Sequence, residues 1–194
     1  MSVFRSHTPK RRLISTKVKK YSAHKEDLRL DYRNRCGYCN DIESYRISWF
    51  EIDHFVPKEY LKTITEEDYS NLVYACRSCN NAKRAKWPTK DEKVHNQNYE
   101  GFIDPCNDDY NSQFNRLPNG RIVPNSNLGE WIYNALKLYK PQHEFIWNIE
   151  VLDDLIDEIN GILEISQNDN LSKRLTQCLL EYRKYIKELS KIGL

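Results

Sequence analysis

A chain of 194 residues with 39% hydrophobic residues has room for one ordinary domain, or for a small one with an appendage. No apolar run approaches the roughly 20 residues that cross a bilayer, and the N-terminal MSVFRSHTPKRR lacks the apolar stretch of a signal peptide, so membrane and secreted classes are set aside for a cytoplasmic reading. The formal net charge of +2 hides a polarised distribution: no acid precedes Glu26, and no Lys or Arg lies between Lys140 and Lys173.

Residues 1–25 read as a basic arm carrying Arg5, Lys10, Arg11, Arg12, Lys17, Lys19, Lys20 and Lys25, either a polyanion contact or a solvated tail. SAHKEDLRLDYRNR then reads as a short helix capped by Ser22 and leading into CGYC. Residues 26–87 hold the chemistry: SWFEIDHFVP is predicted as a strand ending at Asp53-His54, and the second cysteine pair opens a helix bearing Asn80, Lys83, Arg84 and Lys86. Residues 88–126 are a loop-rich connection with a hairpin signal at Asn119-Gly120. Residues 127–194 are helical by periodicity. NLGEWIYNALKLYK has Asn127 as cap and stops at Pro141, a longer helix runs from Gln142 to about Ser166, and a third is opened by Asn170. Ile149, Leu152, Ile156, Ile159 and Leu163 on one helix, with Leu171, Leu175, Cys178, Leu179, Tyr182, Ile186 and Leu189 on the next, predict a helical hairpin or small bundle.

Six cysteines allow disulfides, but Cys36, Cys39, Cys76 and Cys79 are spaced as C-x2-C and C-x2-C, two knuckles that wrap one tetrahedral ion. Thiolates suit zinc, Gly37 is expected to let the first knuckle turn sharply, and four sulfurs leave no open position, so the site is structural. The gap of 36 residues between the pairs exceeds the roughly 15–20 of a plain zinc ribbon, which means that something is inserted. Cys106 and Cys178 have no partner at ligand spacing and read as packed thiols.

The insertion carries Asp53 and His54, and the second pair is followed by Asn80. Asp53 and Asn80 offer oxygen atoms suited to a hard cation, Mg²⁺ or Mn²⁺, that keeps waters and binds phosphate. His54, with an ordinary pKa near 6.5, is partly neutral at physiological pH and can take a proton from water. Adjacent strand residues point to opposite faces, so the chain must bend toward Pro57 if Asp53 and His54 are to address one phosphate.

The order C-x2-C, D-H-x-x-P, N-L, C-x2-C-N-x-x-K resembles the zinc-containing branch of the HNH endonuclease family, over about residues 30 to 87. The resemblance implies an α+β fold: a ββα-metal core with a four-cysteine zinc site, here followed by a mainly α-helical C-terminal region. The family signature falls on His54, Asn71 and Asn80, with Asn in place of the commoner final His. It implies that His54 activates water, that a divalent ion sits on Asp53 and Asn80, and that Asn71 ties the histidine loop in place. GFIDPCNDDY, with its Asp104-Pro105, resembles the flank of HNH effectors in Septu- and retron-type antiphage systems, which implies an ATPase partner protein and a defence role; a stand-alone nuclease and a restriction enzyme of modified DNA are the alternatives.

Arg77, Lys83, Arg84 and Lys86 on or beside the Asn80 helix are expected to neutralise phosphates flanking the scissile one. Phosphate contacts position without specifying, so weak sequence preference on DNA is expected. A non-catalytic zinc module binding nucleic acid or protein is the alternative reading, and RNA is an alternative substrate. The joint presence of Asp53, His54 and Asn80 separates catalysis from mere binding.

Overall fold

The computed structural model describes residues 2–14, 17–45 and 49–192. Ser48, at the head of the predicted strand, and Ser15 and Thr16 in the arm lie outside the described residues. The chain divides into two compact units: Met1–Pro118 with Ile122–Tyr139, and Asn119–Arg121 with Lys140–Leu194.

In the first unit, β1 (Ser2–Val3) precedes a 3-10 turn, Tyr21–His24, which runs directly into α1 (Lys25–Asp31). Ser22 therefore lies inside the 3-10 turn and caps nothing, and the cap position falls on His24, whose side chain makes no capping bond. β2 (Phe50–His54) and β3 (Leu72–Cys76) form an antiparallel pair in the register Phe50↔Cys76 to His54↔Leu72. Every residue of β3 is buried, and the strand LVYAC is correspondingly apolar on both faces. The chain turns at Cys76 into α2 (Arg77–Lys83), which completes a β-β-α unit with Phe50, Leu72, Val73 and Tyr74 at its heart.

After this unit come β4 (Asn96–Gln97), β5 (Glu100–Gly101), α3 (Asp109–Ser112), β6 (Phe114–Arg116), β7 (Ile122–Pro124) and α4 (Asn127–Leu136). β6 and β7 are the hairpin expected around Asn119-Gly120, and β1 pairs with β6 to make a sheet in the order β1-β6-β7. Gly120 has φ +86, a left-handed conformation that glycine adopts at no steric cost. α4 is capped by Ser126 and not Asn127: Ser126 has the extended backbone a cap requires, and its hydroxyl accepts from Gly129 N at 2.9 Å. The helix also stops before Pro141, because Lys137 enters the left-handed region at φ 56 and returns its N–H to the carbonyls of Asn134 and Tyr133.

Among its described residues, the arm is not wholly a solvated tail. Arg5 is buried and donates to the carbonyls of Gly37 (2.9 Å) and Pro105 (2.5 Å). Arg11 grips both oxygens of Asp104, at 2.8 and 3.1 Å, and donates to Leu72 O at 2.6 Å. Arg12 pairs with Asp31 at 2.6 Å. Lys10, Lys17, Lys19 and Lys20 remain exposed.

The second unit is built from α5 (Gln142–Leu163) and α6 (Asp169–Lys191). α6 is opened by Asn168 and not Asn170; the Asn168 side chain accepts from the backbone of Asn170 and Leu171. Leu152, Ile156, Ile159 and Cys178 form the seam, flanked by Leu155, Leu163, Leu171, Leu175, Tyr182 and Tyr185. Three- and four-residue steps on both helices bring these side chains to one stripe each, and burying each large one contributes roughly 1.5–3 kcal/mol. Cys178 is the packed thiol expected of it, whereas Leu179 and Ile186, expected on the same face, are exposed; Leu179 directly follows Cys178 and is turned about 100° away from it around the helix. No helix among the described residues is long and apolar enough to cross a membrane.

Candidate functional site

The two cysteine pairs converge. All four sulfurs of Cys36, Cys39, Cys76 and Cys79 lie within 4.8 Å of one another, all four residues are buried, and none is in a disulfide. The Cys39 and Cys76 sulfurs are 3.8 Å apart. A tetrahedral ion with metal–sulfur bonds of about 2.3 Å requires a sulfur separation of roughly 3.8 Å, so the cage fits zinc in size as well as in donor type. Burial pushes the Cys39 thiol up, and a bound cation is what would allow the set to ionise together.

The first knuckle is held from behind by three side chains distant in sequence. Arg5 donates to Gly37 O at 2.9 Å, Tyr110 to Tyr38 O at 2.8 Å, and Arg116 to Cys39 O at 3.0 Å. Gly37 serves a different purpose from the one its position suggests: its φ is not in the left-handed region, but a Cβ there would stand 2.6 Å from the Tyr32 ring and 2.9 Å from Val73. Close approach, not a sharp turn, demands glycine at this knuckle.

β2 and α2 face each other through two polar rungs. Glu51 and Asp53, two apart on the strand, share a face, while Asn80 and Lys83, three apart on the helix, share another. Asn80 Nδ2 donates to Glu51 Oε2 at 2.7 Å, and Lys83 Nζ meets Asp53 Oδ2 at 2.9 Å. The Tyr38 hydroxyl donates to the same Asp53 oxygen at 2.5 Å, so among the described residues both of these partners of the buried carboxylate fall on Oδ2. No group of three or more His, Cys, Asp or Glu side chains at ligand range includes Asp53 among the described residues. A hard cation held here by Asp53 and Asn80 oxygens would keep several waters, which is how Mg²⁺ ordinarily binds.

Lys83 corrects the sequence reading. It is fully buried, bonded to Asp53 and to His54 O at 2.8 Å, and cannot reach a phosphate on the surface. Arg77 and Arg84 are exposed, with Arg77 also 3.8 Å from Glu51. Lys86 donates to Ala135 O at 2.8 Å, at the C-terminal end of α4 where a cation is favoured.

His54 closes β2, directly after Asp53. Its ring meets Tyr21 edge-on at 4.7 Å, and its Nε2 bonds Glu66 O at 2.8 Å. A carbonyl only accepts, so Nε2 carries the proton and the lone pair of the neutral ring sits on Nδ1. Desolvation by burial lowers the His54 pKa below 6.5, opposed by the Glu66 bond and aided by the charge of Lys58. Lys58 is itself paired with the Glu66 carboxylate and lies 4.4 Å over the Tyr21 ring.

Asn71 clamps the turn after His54. Its Oδ1 accepts from Val56 N at 2.8 Å, its Nδ2 donates to Val56 O at 3.0 Å, and its own carbonyl accepts from Phe55 N at 2.8 Å. Further along, the buried Glu92 carboxylate gathers the backbone N–H groups of Lys62, Thr63 and Ile64 and the Thr63 hydroxyl; these bonds pull its pKa down to about 2. Tyr38, Glu51, Tyr21, Glu66 and Glu92 were not anticipated as site residues. Only Glu51 was open to inference, from its place two residues before Asp53 on one strand face.

A β-β-α unit that frames a four-cysteine cage and carries Asp, His and Asn along its strand and helix has the layout of a ββα-metal core. Residues 36–86 match the family model described as HNH endonuclease, and this part of the chain is an HNH domain. No curated protein and no solved structure matches the chain.

Proposed function

We propose that this protein is a metal-dependent HNH endonuclease that hydrolyses DNA phosphodiester bonds. The observation that carries this reading is the coincidence, inside the HNH segment, of a histidine with one ring nitrogen tied to a carbonyl and an asparagine clamping the following turn. His54 Nδ1 is the general base that takes a proton from the attacking water. Asn71 keeps the His54 turn from shifting. Asp53 and Asn80 would hold Mg²⁺ or Mn²⁺, which supplies stabilisation of the charge developing on the phosphate and leaving oxygen. Cys36, Cys39, Cys76 and Cys79 would hold a structural zinc, and Arg77 and Arg84, with the exposed arm lysines, neutralise flanking phosphates.

Four free thiols poised for a metal suit a reducing compartment, and we place the reaction in the cytoplasm. The antiphage reading, with an ATPase partner, is supported by the likeness of the Asp104-Pro105 flank alone; an ATPase gene beside this one is the observation that tests it. The activity itself is tested by incubating plasmid DNA, and RNA in parallel, with Mg²⁺ or Mn²⁺, beside EDTA and His54→Ala controls. Cleavage of DNA lost in both controls is expected. Binding without cleavage under all conditions would favour the non-catalytic zinc module, and cleavage confined to RNA would replace the substrate.

A further inference from the structure

The rung between Glu51 and Asn80 bears on a weakness of the site. An asparagine amide has an oxygen and a nitrogen end of nearly the same shape, and only the oxygen can bind a cation. Asn80 stands where the family more commonly carries histidine, so something must decide which end faces outward. Its Nδ2 lies 2.7 Å from Glu51 Oε2. A carboxylate only accepts, so the amide is obliged to turn its NH₂ to Glu51 and its Oδ1 the other way. Asp53 is held on the same pattern among the described residues, with Tyr38 and Lys83 both on Oδ2. Glu51 is partly exposed and lies 3.8 Å from Arg77, a separation too long for a hydrogen bond, so its short bond with Asn80 is the stronger of its two engagements.

We propose that Glu51 is a positioning residue for the divalent ion: by accepting from Asn80 Nδ2 it leaves Asn80 Oδ1 to Mg²⁺ or Mn²⁺, which Asp53 would hold as well. The inference rests on the endonuclease reading and adds to it a residue outside the family signature. Partners that orient metal ligands typically change affinity by roughly 10–100-fold when removed.

The test separates orientation from charge. Mn²⁺ binding to the zinc-loaded, DNA-free full chain is measured by electron paramagnetic resonance for wild type, Glu51→Ala, Glu51→Asp and Glu51→Gln, with zinc content and melting temperature as fold controls. Glu51→Asp keeps the charge but is one methylene too short to reach Asn80, whereas Glu51→Gln loses the charge and keeps an acceptor. Orientation predicts that Glu51→Ala and Glu51→Asp weaken Mn²⁺ binding by roughly 10–100-fold and that Glu51→Gln falls between them and wild type. In plasmid cleavage the half-saturating Mn²⁺ concentration rises while the rate at saturating Mn²⁺ is largely recovered. Wild-type affinity in Glu51→Asp, with loss in Glu51→Gln, would mean that Glu51 acts through charge alone and overturns the proposal. If the wild type cuts DNA and His54→Ala does not, yet Mn²⁺ affinity ignores every change at Glu51, the positioning role falls and the nuclease reading stands. A wild type that neither binds Mn²⁺ nor cuts overturns both.

Discussion

His54 Nε2 donates to the main-chain carbonyl of Glu66 across 2.8 Å, and this bond decides which nitrogen can act as a base. With the proton fixed on Nε2, Nδ1 is free to take one from water, provided the ring is neutral. Burial lowers the His54 pKa below 6.5, and a cation on Asp53 would push the same way. Cleavage should therefore be level at neutral pH and fall as pH drops through an apparent pKa below 6.5. Stability follows the same sign: the unfolded chain takes up this proton near 6.5 and the folded one only at lower pH, so the contribution present above 6.5 is lost on acidification. His54→Ala should retain zinc and fold and lose roughly 10²–10⁴-fold in rate. A pH–rate profile with an acid limb unchanged in His54→Ala would remove His54 from the mechanism.

The cysteine cage should carry about one zinc per chain, and Cys36→Ser or Cys79→Ser should lose both metal and fold, because four-thiolate binding is coupled to folding. Elemental analysis of protein purified without added metal, with circular dichroism before and after chelation, checks this. A zinc-free protein that is well folded contradicts it.

Asn71 is expected to be a sensitive position, because its side chain pairs both backbone groups of Val56. Asn71→Ala leaves the N–H and C=O of Val56 unpaired in a buried turn, at about 1–3 kcal/mol for each unsatisfied group. For a chain of this size that is a fall in melting temperature of roughly 2–4 °C per kcal/mol. Asn71→Asp keeps the acceptor for Val56 N but sets an oxygen against Val56 O at 3.0 Å, so it should rescue neither stability nor cleavage. Thermal unfolding beside single-turnover rates decides the matter.

The arm separates into two sets of charges. Arg11→Ala breaks a forked pair with Asp104 and a bond to Leu72 O, and should lower the melting temperature at any salt concentration. Replacing the exposed Lys10, Lys17, Lys19 and Lys20 with Ala should leave melting unchanged. The slope of log affinity for duplex DNA against log salt should become shallower, by at most about 0.9 for each phosphate that is no longer neutralised. An unchanged slope would place the DNA path elsewhere.

Glu92 supplies a second pH effect. Its pKa of about 2, against an ordinary 4.5, means that the stability it contributes is complete above 4.5 and is lost as pH falls toward 2. Glu92→Gln should melt below wild type at pH 7, and the gap should narrow on acidification through that window. A gap independent of pH would show that the loop at residues 62–64 does not depend on the charge.

The cysteine cluster and the HNH segment were legible in the sequence, because cysteine knuckles and strand-helix motifs are local. C-x2-C spacing specifies a knuckle whatever surrounds it, and Asp53-His54 at the end of an apolar strand, with Asn80 just after Cys79, is a short-range pattern. Helix periodicity in the last third likewise marked α5 and α6, since each stripe arises within one helix. Caps were less legible: Ser126 and Asn127, or Asn168 and Asn170, have equally good side chains, and the backbone conformation that decides between them depends on how the preceding chain arrives. What only the tertiary structure decided are the pairings over long separations. Lys83 looked like a phosphate ligand until α2 packed on β2 and gave it Asp53, while Arg5, Tyr110 and Arg116 hold the Cys36–Cys39 knuckle from segments that local patterning cannot connect to it. A charged side chain has the same intrinsic chemistry on a surface and in a core, and whether it meets water or a buried partner is set by the packing of distant segments.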